Sequence, residues 1–108
     1  MTREASQHAR TDALTGLNNR LAFIEAATIA LALCKRHARP VALVYLDLDN
    51  FKQVNDARGH AEGDYVLRKC AATMLAQSRI TDIAARLGGD EFVIFLPETG
   101  REEAFAFC

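Results

Sequence analysis

Apolar positions along the chain fall into blocks of two different periods. From residue 19 to about 37, Leu21, Ile24, Thr28, Leu31 and Cys34 recur at helical spacing, and the block closes on the basic run Lys35, Arg36, His37 ahead of Pro40. That pattern predicts a long amphipathic helix with this stripe turned inward. "VALVYLDLD", residues 41–49, is short, aliphatic and β-branched, which predicts a buried strand. "NFKQVNDARGH", residues 50–60, reads as a short helix or turn broken at Gly59. Leu67, Ala71, Met74 and Leu75 then repeat at i, i+4, i+7 and i+8, predicting a second main helix from Asp64, its plain N-cap, to about Ser78. Two strands follow, near residues 83–87 and 91–96, and the Gly88-Gly89 pair between them predicts a tight hairpin turn. Phe92, Val93, Ile94, Phe95 and Leu96 are apolar on both faces, as in a strand covered on both sides. Helix, strand, helix, helix, strand, strand is an order that buries its faces economically as one sheet against helices, in an α+β or α/β sandwich.

Composition narrows the class. With 108 residues, 50% hydrophobic and 25% charged, the chain is sized for a single domain with one core. A net charge of -1 and scattered lysines and arginines point to no nucleic-acid or membrane surface, so any phosphate binding must be local. Cys34, Cys70 and Cys108 form no CxxC, and the first two fall at apolar helix positions. Together with the lack of a signal-peptide core or a membrane-length run, this places the expected setting in the cytoplasm, whether or not the parent protein carries a membrane anchor.

Chemistry gathers in the acidic residues. Asp47 and Asp49, two apart on the first strand, project from one face, and Asp90 and Glu91 stand at the mouth of the last strand. Adjacent carboxylates entering an apolar strand repel and need water or a cation. If the first strand neighbours the hairpin, Asp47 and Asp90 meet at one end of the sheet beside a backbone carbonyl, a hard oxygen site suited to Mg²⁺. Spacing alone leaves the plainer reading open, in which these acids merely end a strand and follow a turn. His60 has no second His or Cys at ligand spacing.

Five stretches carry a resemblance. "GGDEF" at residues 88–92 is similar to the signature of the GGDEF family, the diguanylate cyclases. "DALTGLNNR" at 12–20, "DLDNFKQVND" at 47–56, "GHAEGD" at 59–64 and "RITD" at 79–82 resemble that family's further motifs in the same order. The resemblance implies a palm-like, nucleotidyl-cyclase-like α+β fold, a central mostly antiparallel sheet with helices packed on it. It also implies condensation of two GTP into cyclic di-GMP with release of two pyrophosphates, by a homodimer in which each half supplies one GTP.

Carried over by motif, Asp47, the Leu48 carbonyl and Asp90 would bind Mg²⁺, with Mn²⁺ as a substitute. Asn55 and Asp64 would read the guanine edge, and Phe51 and Lys52 would line the phosphate region. Gly88 and Gly89 would let backbone and nucleotide approach closely. Asp90 or Glu91 would assist in deprotonating the attacking 3′-hydroxyl, and Arg79 and Asp82 would bind cyclic di-GMP at an inhibitory site. Plain readings stand beside these: Asn55 as a turn residue, Arg79 and Asp82 as a helix-end arginine and a turn aspartate.

Residues 1–11 read as the end of an N-terminal linker or signalling helix, and residues 12–108 as the N-terminal portion of the domain. "TGRE", residues 99–102, reads as a capping box opening another helix. The family domain continues through that helix, further strands and a helix whose Lys and Arg contact GTP phosphates, so these 108 residues are expected to be weakly active or inactive by themselves. The alternative function is a regulatory module that binds GTP or cyclic di-GMP without turnover.

Overall fold

The structure is a computed structural model that describes residues 9–48 and 51–100. Its elements, in chain order, are α1 (Arg20–Arg36), β1 (Val41–Asp47), α2 (Phe51–Arg58), α3 (His60–Gln77), β2 (Ile83–Gly88) and β3 (Glu91–Pro97). The sheet runs β1-β3-β2 and is antiparallel at both pairings. This is the expected α+β arrangement of an antiparallel sheet with helices on it.

β3 sits in the middle, which is why its residues are apolar on both faces. On one face Phe92, Ile94 and Leu96 pack with Leu67, Ala71 and Met74 of α3 and with Ala84. On the other, Val93 and Phe95 pack with Phe23 of α1 and with Ala85. Each fully buried side chain of this size contributes about 1.5–3 kcal/mol relative to exposure, so β3 is the main seat of stability.

Asn19 caps α1, its side-chain oxygen accepting from the Ala22 amide at 2.9 Å, and Lys35 and Arg36 meet the negative end of the helix dipole. The phase of α1 differs from expectation. Leu21, Ile24, Thr28 and Leu31 are exposed, and the helix instead buries Ala22, Phe23 and Cys34, with Ala27 and Ala30 against the sheet. The chain entering α1 is pinned to β2 by Asn18, whose side-chain Nδ2 donates to the Ala84 carbonyl at 3.0 Å and whose backbone carbonyl accepts from the Arg86 amide at 3.1 Å. That docking turns Phe23 and the alanines inward, and small side chains let helix and sheet approach closely.

Three further expectations are corrected. β1 was expected to be buried, yet as an edge strand it leaves Leu43 61% and Tyr45 56% exposed. α3 begins at His60 rather than Asp64, so Asp64 lies inside the helix and is not its cap; Gly59, at φ 89°, both closes α2 through its amide to the Asn55 carbonyl and opens α3. Leu75 faces outward, 54% exposed. The strand bounds 83–88 and 91–97 lie within a residue of expectation. Asp49, Asn50, the helix expected after Thr99, Cys108 and most of the expected linker lie outside the described residues. Among the described residues, no helix is long and apolar enough to cross a membrane.

Candidate functional site

The β1–β3 register brings the acidic residues together. Asp47 and Glu91 are direct cross-strand partners on one face of the sheet, and the Leu48 amide donates to the Asp90 carbonyl at 3.3 Å. Carboxylates paired this way repel unless a cation stands between or beside them. The parity of the register makes Glu91, rather than Asp90, the carboxylate facing Asp47; Asp90 sits in the turn just before it.

That turn is one residue further on than the glycine pair suggests. Gly88 pairs with Glu91, so the two loop residues are Gly89 and Asp90, and Leu87 is the extra residue of a bulge between the Arg86 and Gly88 pairings. Gly89 has φ 51° at the first loop position, where a primed hairpin turn calls for glycine, and Gly88 has φ 148°. A Cβ at either would meet nothing within 4 Å, so backbone conformation demands these glycines and the turn is open to a ligand.

Arg86 holds the turn from beneath. Its Nε and Nη2 donate to the Gly89 carbonyl at 3.0 and 2.9 Å, while Nη1 donates to the two Asp12 carboxylate oxygens at 3.0 and 3.2 Å. Asp12 also accepts from the Thr15 amide and hydroxyl, at 2.9 and 2.8 Å, within a tight turn whose Gly16 has φ 78°. Burial pushes the Asp12 carboxyl up, but the Thr15 hydrogen bonds and the Arg86 guanidinium outweigh it and hold the group below its ordinary value. The opening motif, 74 residues from Arg86, is therefore part of the signature turn's support.

Two contributors escaped sequence reasoning. Tyr45 shares the face of Asp47 and Glu91, and its phenol is pushed up by a hydrogen bond to Glu91 and by the charges of Glu91 and Asp47, with Arg20 opposing. Arg20 thus stands near this acidic end from the start of α1. Their only signal was an i, i+2 spacing for Tyr45 and the closing letter of the opening motif for Arg20.

The remaining candidates divide by location. Phe51 and Lys52 begin α2, a few residues after Asp47; Phe51 is partly buried against the core and Lys52 is exposed. Asn55 on α2 and Asp64 on α3 are half-buried across the α2–α3 junction, where the Asn55 side chain lies against buried Gly63. No side-chain hydrogen bond or ion pair among the described residues engages either one. Arg79 and Asp82 lie at the opposite end of β3, roughly 20 Å away at ~3.4 Å per residue. There Arg79 pairs with Asp82 at 3.0 Å and donates to the Pro97 carbonyl at 3.0 Å and to the buried Thr99 hydroxyl. A cavity of about 450 Å³ opens beside it, lined by Ala30, Leu33, Cys34, Arg79, Thr81, Pro97 and Glu98. The expected inhibitory pair thus forms a second location, distinct from the acidic end.

For a divalent cation the donor chemistry fits: two facing carboxylates and a nearby carbonyl are hard oxygen donors. Among the described residues no group of three or more His, Cys, Asp or Glu could hold a metal, so a cation here would complete its shell with water and substrate oxygens.

Comparison with known proteins places the chain among its relatives. The chain is 47% identical over 104 residues to the probable diguanylate cyclase DgcE of Escherichia coli, covering 96% of this chain and 9% of that protein. Against the diguanylate cyclase DgcS of Shewanella oneidensis it is 45% identical over 93 residues, covering 86% of this chain and 31% of that one. It thus spans less than a third of the length of either relative. The GGDEF domain of DgcB from Caulobacter crescentus, solved in complex with c-di-GMP, superposes with a TM-score of 0.88 at 35% identity, over 92% of this chain and 58% of that one. Residues 9–107 match the family described as Diguanylate cyclase, GGDEF domain, and the chain belongs to that family.

Proposed function

We propose that this chain supplies the metal- and guanine-binding part of a cytoplasmic domain that condenses two GTP into cyclic di-GMP, releasing two pyrophosphates. The observation that carries the proposal is the pairing of Asp47 with Glu91 beside the open Gly88-Gly89 turn, in a chain of this family. Asp47, Glu91 and the Leu48 carbonyl would hold Mg²⁺ or Mn²⁺; this moves the second metal carboxylate from Asp90 to Glu91. Bound there, the cation supplies neutralisation of charge on the transferring phosphoryl oxygens.

The residues do the positioning. Asn55 and Asp64 take the guanine edge, and Lys52, with the opening amides of α2, faces the phosphates. Asp90, in the turn, accepts the proton of the 3′-hydroxyl that attacks the α-phosphorus of a second GTP, and pyrophosphate leaves. The 3′-hydroxyl of the second nucleotide then attacks the α-phosphorus of the first, a second pyrophosphate leaves, and the ring closes. One subunit binds one GTP, so a homodimer presents both substrates. Arg79 and Asp82 bind the product and restrain turnover, Arg79 exchanging its Pro97 and Thr99 partners for phosphate oxygens.

Incubation of the protein extended through the rest of the family domain with GTP and Mg²⁺, followed by chromatographic separation of nucleotides, tests the proposal. Cyclic di-GMP with two equivalents of pyrophosphate supports it. GTP bound tightly but never converted supports the regulatory module instead.

A further inference from the structure

Gly63 stands in the first turn of α3, where a glycine is destabilising relative to alanine and needs a reason. Conformation is not that reason: Gly16, Gly59, Gly88 and Gly89 have positive φ, and Gly63 does not. Space is. A Cβ at Gly63 would fall on Oδ1 of Asn55, within 2.8 Å of its Cγ and 3.3 Å of its Nδ2. The bare backbone of α3 is thus the seat on which α2 lays the Asn55 amide, one residue before Asp64.

We infer that Gly63 is a specificity-determining position, whose missing side chain sets the Asn55 amide beside Asp64 so that guanine is distinguished from adenine. The inference rests on the guanine-reading role proposed for Asn55 and Asp64. Guanine offers N–H donors and a carbonyl on one edge, which suits a carboxylate with an amide; adenine lacks that carbonyl and offers an amino group in its place. An amide is the flexible end of a short side chain, so a methyl at position 63 rotates it away with little damage to the fold. What is lost is its place.

The test is a double-mutant cycle with Asn55→Ala and Gly63→Ala, reading thermal midpoints without nucleotide and displacement of a fluorescent GTP analogue by GTP or ATP with Mg²⁺. G63A is expected to lower the preference for GTP over ATP about tenfold, as N55A does, and the double variant to lose no more than N55A. Without nucleotide, G63A should raise the midpoint more in the N55A background than in the wild-type background, because there the amide that the methyl would strike is gone. Retention of the wild-type preference by G63A while N55A loses it overturns the inference alone. Retention by N55A overturns the guanine role of Asn55 and the inference with it. Equal midpoint gains in both backgrounds overturn the packing argument whatever the nucleotide does.

Discussion

Arg86 ties the signature turn to the opening motif, so its removal should destabilise the fold. Its guanidinium joins Asp12 to the Gly89 carbonyl, and the paired side chains are only 16% and 19% exposed. An exposed pair contributes about 0–1 kcal/mol, and breaking a fully buried one costs about 3–5 kcal/mol. Asp12 keeps its two Thr15 hydrogen bonds after Arg86→Ala, and the Gly89 carbonyl can turn to water, so the cost falls between these limits, at about 2 kcal/mol. For a domain of this size that corresponds to a fall in Tm of roughly 8–16 °C. Thermal unfolding followed by circular dichroism reads it directly, and Arg86→Lys should recover little of the loss, because an ammonium cannot donate to both Asp12 and Gly89 as a planar fork does. A shift under about 2 °C for R86A, or full recovery by R86K, would refute the view that this fork holds the signature turn.

Three other outcomes follow from the same geometry. Because Asp12 is held below its ordinary value in the folded protein, its contribution is present above the unfolded carboxyl's titration and is lost as pH falls through the lower folded one; Asp12→Asn should therefore flatten the acid limb of stability below about pH 4, and an unchanged acid limb would contradict it. Arg79→Ala should leave GTP turnover in place while removing inhibition by added cyclic di-GMP, and an undiminished inhibition curve would remove the product-site role from Arg79. These 108 residues should turn over GTP orders of magnitude more slowly than a protein extended over the rest of the family domain, since positioning of the triphosphate is most of phosphoryl-transfer catalysis; equal rates would show that the described site is sufficient.

Much of this was legible in the letters, for reasons that differ by residue. An unbroken apolar run at residues 92–96 has to be a central strand, and periodic Leu67, Ala71 and Met74 have to face it. α1 misled because hydrophobicity weighs Leu21, Ile24 and Leu31 above alanine, whereas the docking of Asn18 on β2 turned the alanine face to the sheet. Asp64 looked like a cap because nothing local shows that Gly59 alone separates α2 from α3. The motif letters named the members of the acidic site, but which acid faces Asp47 depends on register, and the bulge at Leu87 is invisible without it. Arg86 with Asp12, and Tyr45 with Glu91, are long-range partnerships that a single sequence does not display.

On this reading the facing carboxylates serve cyclisation of GTP. The most direct measurement is the product formed from GTP and Mg²⁺ by the protein extended through the rest of the domain, compared with its Asp47→Asn form, which keeps shape and loses charge. Cyclic di-GMP and pyrophosphate are expected in a one-to-two ratio from the first and at least a hundredfold less from the second, the loss of about 2.7 kcal/mol of transition-state stabilisation. Undiminished synthesis by the Asp47→Asn protein would contradict this reading.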